Sequence, residues 1–425
     1  MRIARLAFGR DGLDLDLPDG FRVEVLEARS ASALADPRGA LEQALDAPIA
    51  AAPLAELASG KRSASISVCD ITRPAPNRFV LPSVLRRLEA AGVPRDGIRI
   101  LIATGLHRPA TEAEIREIAG PEIAATYTVL NHHARNREEH RFLGETAAGT
   151  PVWIDERFVS ADLRLSLGFI EPHLMLGYSG GRKLVAPGLA AQETIKVLHS
   201  PRFMREPKAV EGSIEDNPLH RELLEIARLA GQSFIVDVAL AHDRSIAGVF
   251  AGHPEEAHRA GVRFVSAALL QTLPEPADLV ITTGAGYPLD LTFYQCIKGV
   301  TAAARLVKPG GRILLAAECA EGSGGAEFSA LIGRHATPDE YLEAIRGTDV
   351  IVDQWQLEKL ALVARQAEMH WYVPGLPASY ARGVWGTVHA TFAEAVRGAT
   401  AGLRPGALIA AIPHGPYVLA RAQAA

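Results

Sequence analysis

The chain has 425 residues, enough for two or three domains of ordinary size. Hydrophobic residues make up 48% and charged residues 22%, the composition of a globular protein with a substantial core. The net charge of −5 excludes a general attraction to nucleic acid or to an anionic membrane, so any anion-binding site must be local.

Cysteine usage and the N-terminus indicate a cytoplasmic protein. The three cysteines, Cys69, Cys296 and Cys319, form no CxxC pair, and an odd, sparse count argues against a disulfide framework. Charged residues interrupt the first ten positions, so no signal peptide is expected. No apolar run approaches 18 residues, so no transmembrane helix is expected either.

Short apolar segments alternate with helical patterns along the chain. The predicted strands are Ser65–Cys69, Arg99–Ala103, Tyr127–Leu130, Leu163–Gly168, Phe234–Leu240, Leu279–Thr283, Arg312–Ala317, Val350–Val352 and Leu408–Ile412. The predicted helices are Leu81–Ala91, Thr111–Ala119, Leu219–Leu229, Glu255–Leu269 and Pro338–Arg346. This alternation predicts an α/β fold with mainly parallel sheets covered by helices.

A proline-bearing break at Thr272-Leu-Pro-Glu-Pro-Ala277 predicts a domain boundary. We expect a larger N-terminal α/β domain over residues 1–271 and a smaller C-terminal α/β domain over residues 272–390. The pattern leaves open that residues 391–425 pack back on the N-terminal domain. An active-site cleft is expected between the two domains, because ligands of open α/β sheets sit at the carboxyl ends of strands.

The segment Asp70-Ile-Thr-Arg-Pro-Ala-Pro76 follows the first predicted strand, and its prolines stiffen the turn. Asp70 could cap the next helix, but a guanidinium at Arg73 on a rigid loop suits bidentate binding of a carboxylate or phosphate. The segment Ala103-Thr-Gly-Leu-His-Arg-Pro109 follows the next strand and would project His107 from its end. A histidine in that place is structural or catalytic with about equal weight.

A third loop carries Glu171-Pro-His173 and the glycine-rich run Gly177-Tyr-Ser-Gly-Gly-Arg-Lys183. The run is not a Walker A motif, because Leu184 replaces the required Ser or Thr. The glycines allow close backbone approach to a ligand, and Lys183 is either an electrostatic clamp or a covalent attachment point. His199, one helix further on, is either a metal ligand or a complement to the helix dipole.

The segment Asp290-Leu-Thr-Phe-Tyr-Gln-Cys-Ile-Lys298 has a helical pattern after a strand and a glycine turn. Tyr294 and Lys298 are four residues apart and share a helix face, with Gln295 adjacent. A phenol, an amide and an ammonium together suit a small hydroxy-carboxylate. The alternative is a solvated amphipathic helix.

Six motifs, taken together and in chain order, resemble the nickel-dependent lactate racemase family. They are Asp70-Ile-Thr-Arg-Pro, Gly105-Leu-His-Arg-Pro, Glu171-Pro-His, Gly177-Tyr-Ser-Gly-Gly-Arg-Lys, Lys196-Val-Leu-His-Ser-Pro and Tyr294-Gln-Cys-Ile-Lys-Gly. Each motif alone is modest, but the ordered set is specific and covers most of the chain.

The resemblance implies a nickel-pincer nucleotide, a modified pyridinium mononucleotide with two sulfur donors, attached covalently to Lys183. It implies that His199 is the nickel ligand and that His107 and His173 are the two catalytic bases. Further matches are substrate contacts at Arg73, Lys298, Tyr294 and Gln295, cofactor contacts at Asp70, Gly180 and Gly181, and a pocket tryptophan at Trp355. The implied partners are a small 2-hydroxy acid and the proteins that make the cofactor; the oligomeric state is not indicated.

The implied activity is racemisation or epimerisation of a 2-hydroxy acid by proton-coupled hydride transfer. Two histidines on opposite faces of the substrate would each remove or return the hydroxyl proton. Lactate is the default substrate, and a larger or more acidic acid such as malate is the alternative, because the motif residues read only the shared carboxylate and hydroxyl. Two other hypotheses remain: a metal hydrolase that uses His107, His173 and His199 as ligands, and a cofactor-free small-molecule binding protein.

Overall fold

A computed structural model describes residues 2–351 and 353–423. The chain forms two compact units, each with its own sheet and core. Unit 1 takes the described residues of Met1–Arg29, His199–Arg205 and Leu269–Ala425, and unit 2 takes Ser30–Leu198 and Glu206–Ala268.

The strands and helices are numbered here in chain order through both units. The strands are β1 (Arg2–Leu6), β2 (Leu13–Asp16), β3 (Arg22–Val25), β4 (Ala64–Cys69), β5 (Ile98–Ala103), β6 (Thr128–Asn131), β7 (His140–Glu145), β8 (Pro151–Asp155), β9 (Leu163–Phe169), β10 (Pro172–His173), β11 (Gly177–Tyr178), β12 (Phe234–Leu240), β13 (Ile246–Gly252), β14 (Gln271–Leu273), β15 (Ala277–Thr283), β16 (Val307–Ala316), β17 (Glu368–Tyr372), β18 (Thr387–Val388), β19 (Leu408–Ile412) and β20 (Ala420–Ala422). The helices are α1 (Pro37–Asp46), α2 (Leu54–Ala58), α3 (Asn77–Ala90), α4 (Glu112–Ala119), α5 (Pro121–Thr126), α6 (Glu156–Val159), α7 (Gln192–Leu198), α8 (Pro201–Met204), α9 (Pro218–Leu229), α10 (Glu256–Leu269), α11 (Phe293–Ala303), α12 (Ala326–Leu331), α13 (Pro338–Ala344), α14 (Gln354–Ala364) and α15 (Phe392–Thr400). Short 3-10 helices lie at Arg95–Gly97, Arg137–Glu139, Gly181–Leu184, Leu289–Leu291, Ala378–Val384 and Gly415–Tyr417.

Unit 2 is built on a six-stranded sheet in the order β13-β12-β9-β4-β5-β6, in which only the β12–β13 pair is antiparallel. Every residue of the central strand β4 is buried, as expected for a parallel strand covered on both faces. Strands β4, β5 and β9 end at nearly the same level, because Cys69 pairs with Ala103 and Val68 pairs with Leu167. The loops after these strands therefore emerge side by side.

Unit 1 has a second six-stranded sheet, in the order β18-β17-β16-β15-β19-β3, and all its pairs are parallel. Its centre is β15, which is buried along its whole length. Helices α11 and α14 cover one face, where Phe293, Ile297, Leu357 and Leu360 are fully buried in the core. The predicted α/β fold with mainly parallel sheets is confirmed.

The two units divide the chain differently from the predicted boundary. The C-terminal sheet begins close to the predicted break, but it also includes β3 from the N-terminus, which pairs with β19. Residues 391–423 lie in the same unit, because β19 pairs with β15 near the middle of that sheet. Unit 1 is therefore discontinuous in sequence, which a boundary placed at a single linker cannot describe.

The predicted strand at Val350–Val352 is wrong for its first two residues, which have no regular secondary structure, and Val352 lies outside the described residues. The strand that pairs beside β16 is instead β17. Its sequence, Glu-Met-His-Trp-Tyr, contains a charged residue and a histidine, so it lacks the continuous apolar pattern that predicts a buried strand. No helix among residues 2–351 and 353–423 is long and apolar enough to cross a membrane.

Candidate active site

The strand order of the unit 2 sheet indicates where a ligand would bind. The chain runs from β4 to β5 to β6 in one direction, and β9 then returns to the opposite side of β4. Such a reversal leaves a crevice at the carboxyl ends of the strands, where ligands of open α/β sheets bind. The loops that hold Asp70, Arg73, His107, His173 and Lys183 follow β4, β5 and β9, the three strands around this reversal.

His107 and Asp70 form the shortest contact between these loops. His107 Nδ1 lies 2.7 Å from Asp70 Oδ2, and Thr72 Oγ1 donates to Asp70 Oδ1 at 2.7 Å. Burial opposes ionisation, but the hydrogen bonds from His107 and Thr72 hold the pKa of the Asp70 carboxyl below its usual value. Because an ionised carboxylate only accepts, the proton sits on Nδ1 and Nε2 carries the lone pair of a base.

The His107 imidazole is 56% exposed whereas the Asp70 carboxylate is 7% exposed, so the base faces outward on a fixed support. Asp70 is predicted to contact the cofactor, and that role stays a prediction. Its contact with His107 was not predicted. The two residues are 37 positions apart, and only the parallel pairing of β4 with β5 brings them together.

Arg73 and Glu171 join the loops after β4 and β9. Arg73 donates through one terminal guanidinium nitrogen to Glu171 Oε1 at 3.2 Å, and both side chains are about one-third exposed. An ion pair this accessible is worth roughly 0–1 kcal/mol. This pair can therefore open at little cost. Glu171 lies in the Glu171-Pro-His motif, but it was not predicted as a site residue.

His173 lies in a short antiparallel hairpin formed by β10 and β11, in which it pairs with Gly177. The backbone N–H groups of Met175 and Leu176 point at its Nδ1, with nitrogen–nitrogen distances of 3.5 and 3.4 Å. These amides only donate, so Nδ1 is the acceptor in both contacts, which are long for hydrogen bonds. His173 is half-buried.

Lys183 lies on a turn formed by Gly180 and Gly181, whose φ angles are +86° and +49°. These angles favour glycine. The Lys183 amide donates to Gly180 O at 3.1 Å, and the Gly188 amide donates to Lys183 O at 3.2 Å. The Gly105 amide in turn donates to Gly188 O at 3.0 Å, which links the Lys183 loop to the His107 loop.

Two cations lie within electrostatic reach of one thiol at the end of β4. Burial raises the pKa of the Cys69 thiol to about 12, and the positive charges of Arg73 and Lys183 oppose that rise. The neighbouring Arg182 is fully buried and donates to the carbonyl oxygens of Leu176 and Tyr178, both at 3.1 Å. Arg182 therefore supports the loop, while the half-buried Lys183 is the cation of this turn that a ligand can reach.

The remaining predicted residues belong to unit 1. On α11, Lys298 Nζ donates to Gln295 Oε1 at 2.6 Å, and Tyr294 OH donates to Asp353 Oδ1 at 3.0 Å. Burial and the Asp353 carboxylate raise the pKa of the Tyr294 phenol, which stays protonated. The predicted shared face of Tyr294 and Lys298 is therefore on a helix, and all three predicted residues are half-buried.

His199 stacks on Trp355, with ring centroids 5.7 Å apart and an interplanar angle of 21°. Trp355 meets Tyr294 edge to face at 6.2 Å, so the predicted metal ligand and two predicted pocket residues form one aromatic cluster. His199 was predicted to lie in the N-terminal domain. The segment His199–Arg205 packs instead in unit 1.

Helix α14 holds the segment that carries His199. Arg205 Nε donates to Glu358 Oε1 at 2.6 Å, and Lys359 Nζ donates to Met204 O at 2.7 Å. Trp355, Glu358 and Lys359 lie three and four residues apart and so share one face of α14. Glu358 is fully buried and was not predicted as a site residue. Its charge in an otherwise helical pattern gave no signal of this role.

Two protein-family models match this chain. Residues 8–212 match the lactate racemase N-terminal domain, and residues 273–420 match the lactate racemase C-terminal domain. The chain belongs to the lactate racemase family. Family membership accounts for the occurrence of the six motifs in this order.

Two relatives and two solved structures extend the match. The lactate racemase of Thermoanaerobacterium thermosaccharolyticum is 34% identical over 421 residues, 98% of each chain. The lactate racemase of Lactiplantibacillus plantarum is 38% identical over 327 residues, 76% of each chain. The apoprotein structure from T. thermosaccharolyticum matches with a TM-score of 0.89 at 33% identity, covering 98% of this chain and 99% of that one. A protein of Thermotoga maritima matches with a TM-score of 0.64 at 16% identity, covering 87% and 96%, which shows a shared fold alone.

Proposed function

We propose that this chain is an isomerase that racemises or epimerises a 2-hydroxy acid, and that its unit 2 loops carry the proton-transfer chemistry. The observation that carries the proposal is the His107–Asp70 pair beside Arg73 at the switch point of the sheet. A base, a carboxylate that orients it and a cation for a substrate carboxylate are the groups that such a reaction needs. The names of the two relatives support the same reaction class.

The residues around Lys183 fit an attached nucleotide-like group. The glycine turn at Gly180 and Gly181 shapes the backbone that carries Lys183, and Lys183 and Arg73 supply positive charge near the end of β4. We propose that Lys183 is the covalent attachment point of a nickel-pincer nucleotide, and that Gly180 and Gly181 serve the cofactor by positioning this lysine. When bound, this group would supply the position that accepts and returns the α-hydride.

His199 is the proposed protein ligand of the nickel. Its stacking on Trp355 fixes the ring plane, as a metal ligand requires. Among residues 2–351 and 353–423, no group of three or more His, Cys, Asp or Glu side chains is arranged to hold a metal ion. We propose that the cofactor supplies the other donors, as the resemblance implies.

The proposed proton steps use the two histidines in turn. His107 takes the hydroxyl proton of one enantiomer at Nε2, and the Asp70 carboxylate stabilises the charge that the ring acquires. His173 performs the same step for the other enantiomer. Arg73 is the proposed contact of unit 2 for the substrate carboxylate. Lys298 is a proposed substrate contact of unit 1, together with its neighbours Gln295 and Tyr294. Retention of the keto acid between the two steps allows return of the hydride to the opposite face.

Three finer points belong to the same proposal. The substrate is lactate or a related hydroxy acid such as malate, because Arg73 recognises a carboxylate that all of them share. The partners are that small acid and the proteins that make the cofactor. The protein works in the cytoplasm, where its three buried cysteines stay reduced.

A racemisation assay over a panel of enantiopure 2-hydroxy acids tests the proposal. The protein is produced together with cofactor-biosynthesis proteins, and attachment is verified by intact mass and by peptide mapping of Lys183. We expect turnover of at least one acid in both directions. An absence of turnover for every acid, with the adduct present at Lys183, would contradict the proposal.

Matched variants make the assay specific. Lys183→Ala should abolish both the mass increase and turnover, whereas Lys208→Ala, an exposed lysine of the same unit, should leave both unchanged. His242→Asn serves as the control for the two histidines, because His242 is exposed and belongs to none of the six motifs.

A further inference from the structure

Strand β12 contains one carboxyl group in an otherwise apolar sequence, Phe-Ile-Val-Asp-Val-Ala-Leu. This residue, Asp237, is fully buried. Burying a carboxyl costs free energy unless hydrogen bonds compensate, so an acid in the middle of a buried strand calls for a structural reason. The reason lies across the sheet, where Asp237 pairs in register with Gly168 of β9.

Two glycines leave the space that the Asp237 carboxyl fills, and a third supplies a hydrogen bond to it. A Cβ atom at Gly168 would lie 2.8 Å from Asp237 Oδ1, and a Cβ atom at Gly180 would lie 2.7 Å from Asp237 Oδ2. Both distances are shorter than real Cβ contacts allow. The amide of Gly181 donates to Asp237 Oδ1 at 3.2 Å. The carboxyl therefore passes over one glycine to support the turn formed by the other two.

This turn determines the backbone position of Lys183. Gly181 begins the 3-10 helix that contains Lys183, and the Lys183 amide donates to Gly180 O. The next link, from the Gly188 amide to Lys183 O, reaches the His107 loop through Gly105. A change at Asp237 would thus reach Lys183 through two hydrogen bonds.

We propose that Asp237 is a positioning residue, which holds the Gly180–Gly181 turn so that the Lys183 amine lies where an electrophile can reach it. The consequence of this position for cofactor attachment rests on the proposed function. The consequence for the reactivity of the Lys183 amine does not rest on it. Burial raises the pKa of the Asp237 carboxyl to about 7, although the Gly181 hydrogen bond and the Arg182 charge oppose this. In both protonation states the carboxyl has an oxygen that accepts from the Gly181 amide.

The test measures the acylation rate of Lys183 in the cofactor-free protein. The probe is an N-hydroxysuccinimide acetate ester, and peptide mass spectrometry follows Lys183 together with Lys196 and Lys208 as internal references. We expect Asp237→Ala to change the Lys183 rate at least fivefold relative to the two references. Asp237→Asn keeps the side-chain shape and an acceptor oxygen, so it should stay within twofold of the unchanged protein, as should Asp96→Asn at an exposed site.

The proposal is overturned if Asp237→Ala leaves the Lys183 rate within twofold of the unchanged protein, or if it alters all three lysines equally. Asp237→Ser replaces Asp237→Ala if the alanine variant does not fold, and the same outcomes apply. In the loaded enzyme, Asp237→Ala should lower the fraction of protein that carries the Lys183 adduct, and Asp237→Asn should restore it. A positive acylation result with no racemisation of any acid would support the positioning role while refuting the proposed function.

Discussion

The two loops that carry the proposed bases differ in what supports them. His107 rests on an ionised carboxylate, Asp70, whereas His173 rests on backbone amides of its own hairpin. The hairpin then continues into a turn supported by Asp237, an acid whose pKa burial raises to about 7. The support of His107 therefore carries a full negative charge, whereas the amides that face His173 are neutral.

This difference predicts that the two proposed bases depend on different neighbours. A base that takes the hydroxyl proton becomes positively charged. The Asp70 carboxylate compensates that charge on His107. The backbone amides that face His173 carry no negative charge, so they do not compensate it. The following changes break or sharpen this contrast, from the largest expected effect to the smallest.

Removal of either imidazole should have the largest effect. His107→Ala and His173→Ala should each lower kcat for racemisation by about 10²- to 10⁴-fold, because each enantiomer depends on one ring. Initial rates with each enantiomer of the best substrate measure this. The control variant His242→Asn should retain full activity, and activity above one-tenth in either alanine variant would argue against the assigned role.

The Asp237 carboxyl should make stability depend on pH. Its folded-state pKa of about 7 lies above the ordinary value of about 3.9. Between these values the unfolded chain has released a proton that the folded protein keeps, so the free energy of unfolding falls as pH rises from about 4 to about 7. The loss is up to about 4 kcal/mol, at 1.36 kcal/mol per pH unit.

Asp237→Asn should remove this dependence. Thermal unfolding of both proteins at pH 5 and pH 8 measures it, since the Tm of the unchanged protein should fall more over this interval. An equal fall in both proteins would show that the carboxyl is already ionised at pH 5.

Asp70→Asn should lower kcat by about 10- to 100-fold, because an amide neither compensates the His107 charge nor fixes its tautomer. The effect should appear in kcat, with KM little changed. The folding stability of the same variant should fall less at acid pH than that of the unchanged protein. The lowered pKa of Asp70 contributes stability above its ordinary value of about 3.9, and that stability is lost as pH falls through the folded-state pKa. A kcat within twofold of the unchanged enzyme would remove the contrast between the two loops.

Glu171→Gln should have the smallest effect and the opposite sign. The Glu171 carboxylate competes with the substrate carboxylate for Arg73, and such pairs contribute about 0.2–1 kcal/mol. KM should therefore fall by roughly 1.5- to 5-fold with kcat unchanged. Glu255→Gln is the control, because Glu255 forms a comparably exposed pair with Arg259. A rise in KM would mean that Glu171 supports Arg73 instead of competing for it.

The sequence predicted the fold class well where the strands are continuous and apolar. The strands Phe234–Leu240 and Leu408–Ile412 have the predicted bounds, because both are buried and flanked by turn residues. The edge strand β3 was missed, since it is short and half polar and gains its stability from pairing with β19. The discontinuous unit 1 follows from that pairing, which lies nearly 400 residues away along the chain.

The candidate site followed from motifs, but its support did not. The motifs identify which side chains carry chemistry, because those residue types recur at strand ends. The Asp70–His107 contact depends on strand register, and the Asp237–Gly181 contact depends on glycines from two separate segments, Gly168 and the Gly180–Gly181 turn. One signal was present and not used: a lone Asp within an apolar strand indicates a buried carboxyl with a specific partner.

The most direct test of the two-base account is the handedness of the half-reaction. Loaded His107→Ala and His173→Ala enzymes are mixed separately with each enantiomer of the best substrate, and the keto acid formed in a single turnover is trapped by acid quench. We predict that each variant fails to oxidise one enantiomer while still oxidising the other, and that the two variants fail with opposite enantiomers. Failure of both variants with the same enantiomer, or equal loss with both enantiomers, would contradict the account.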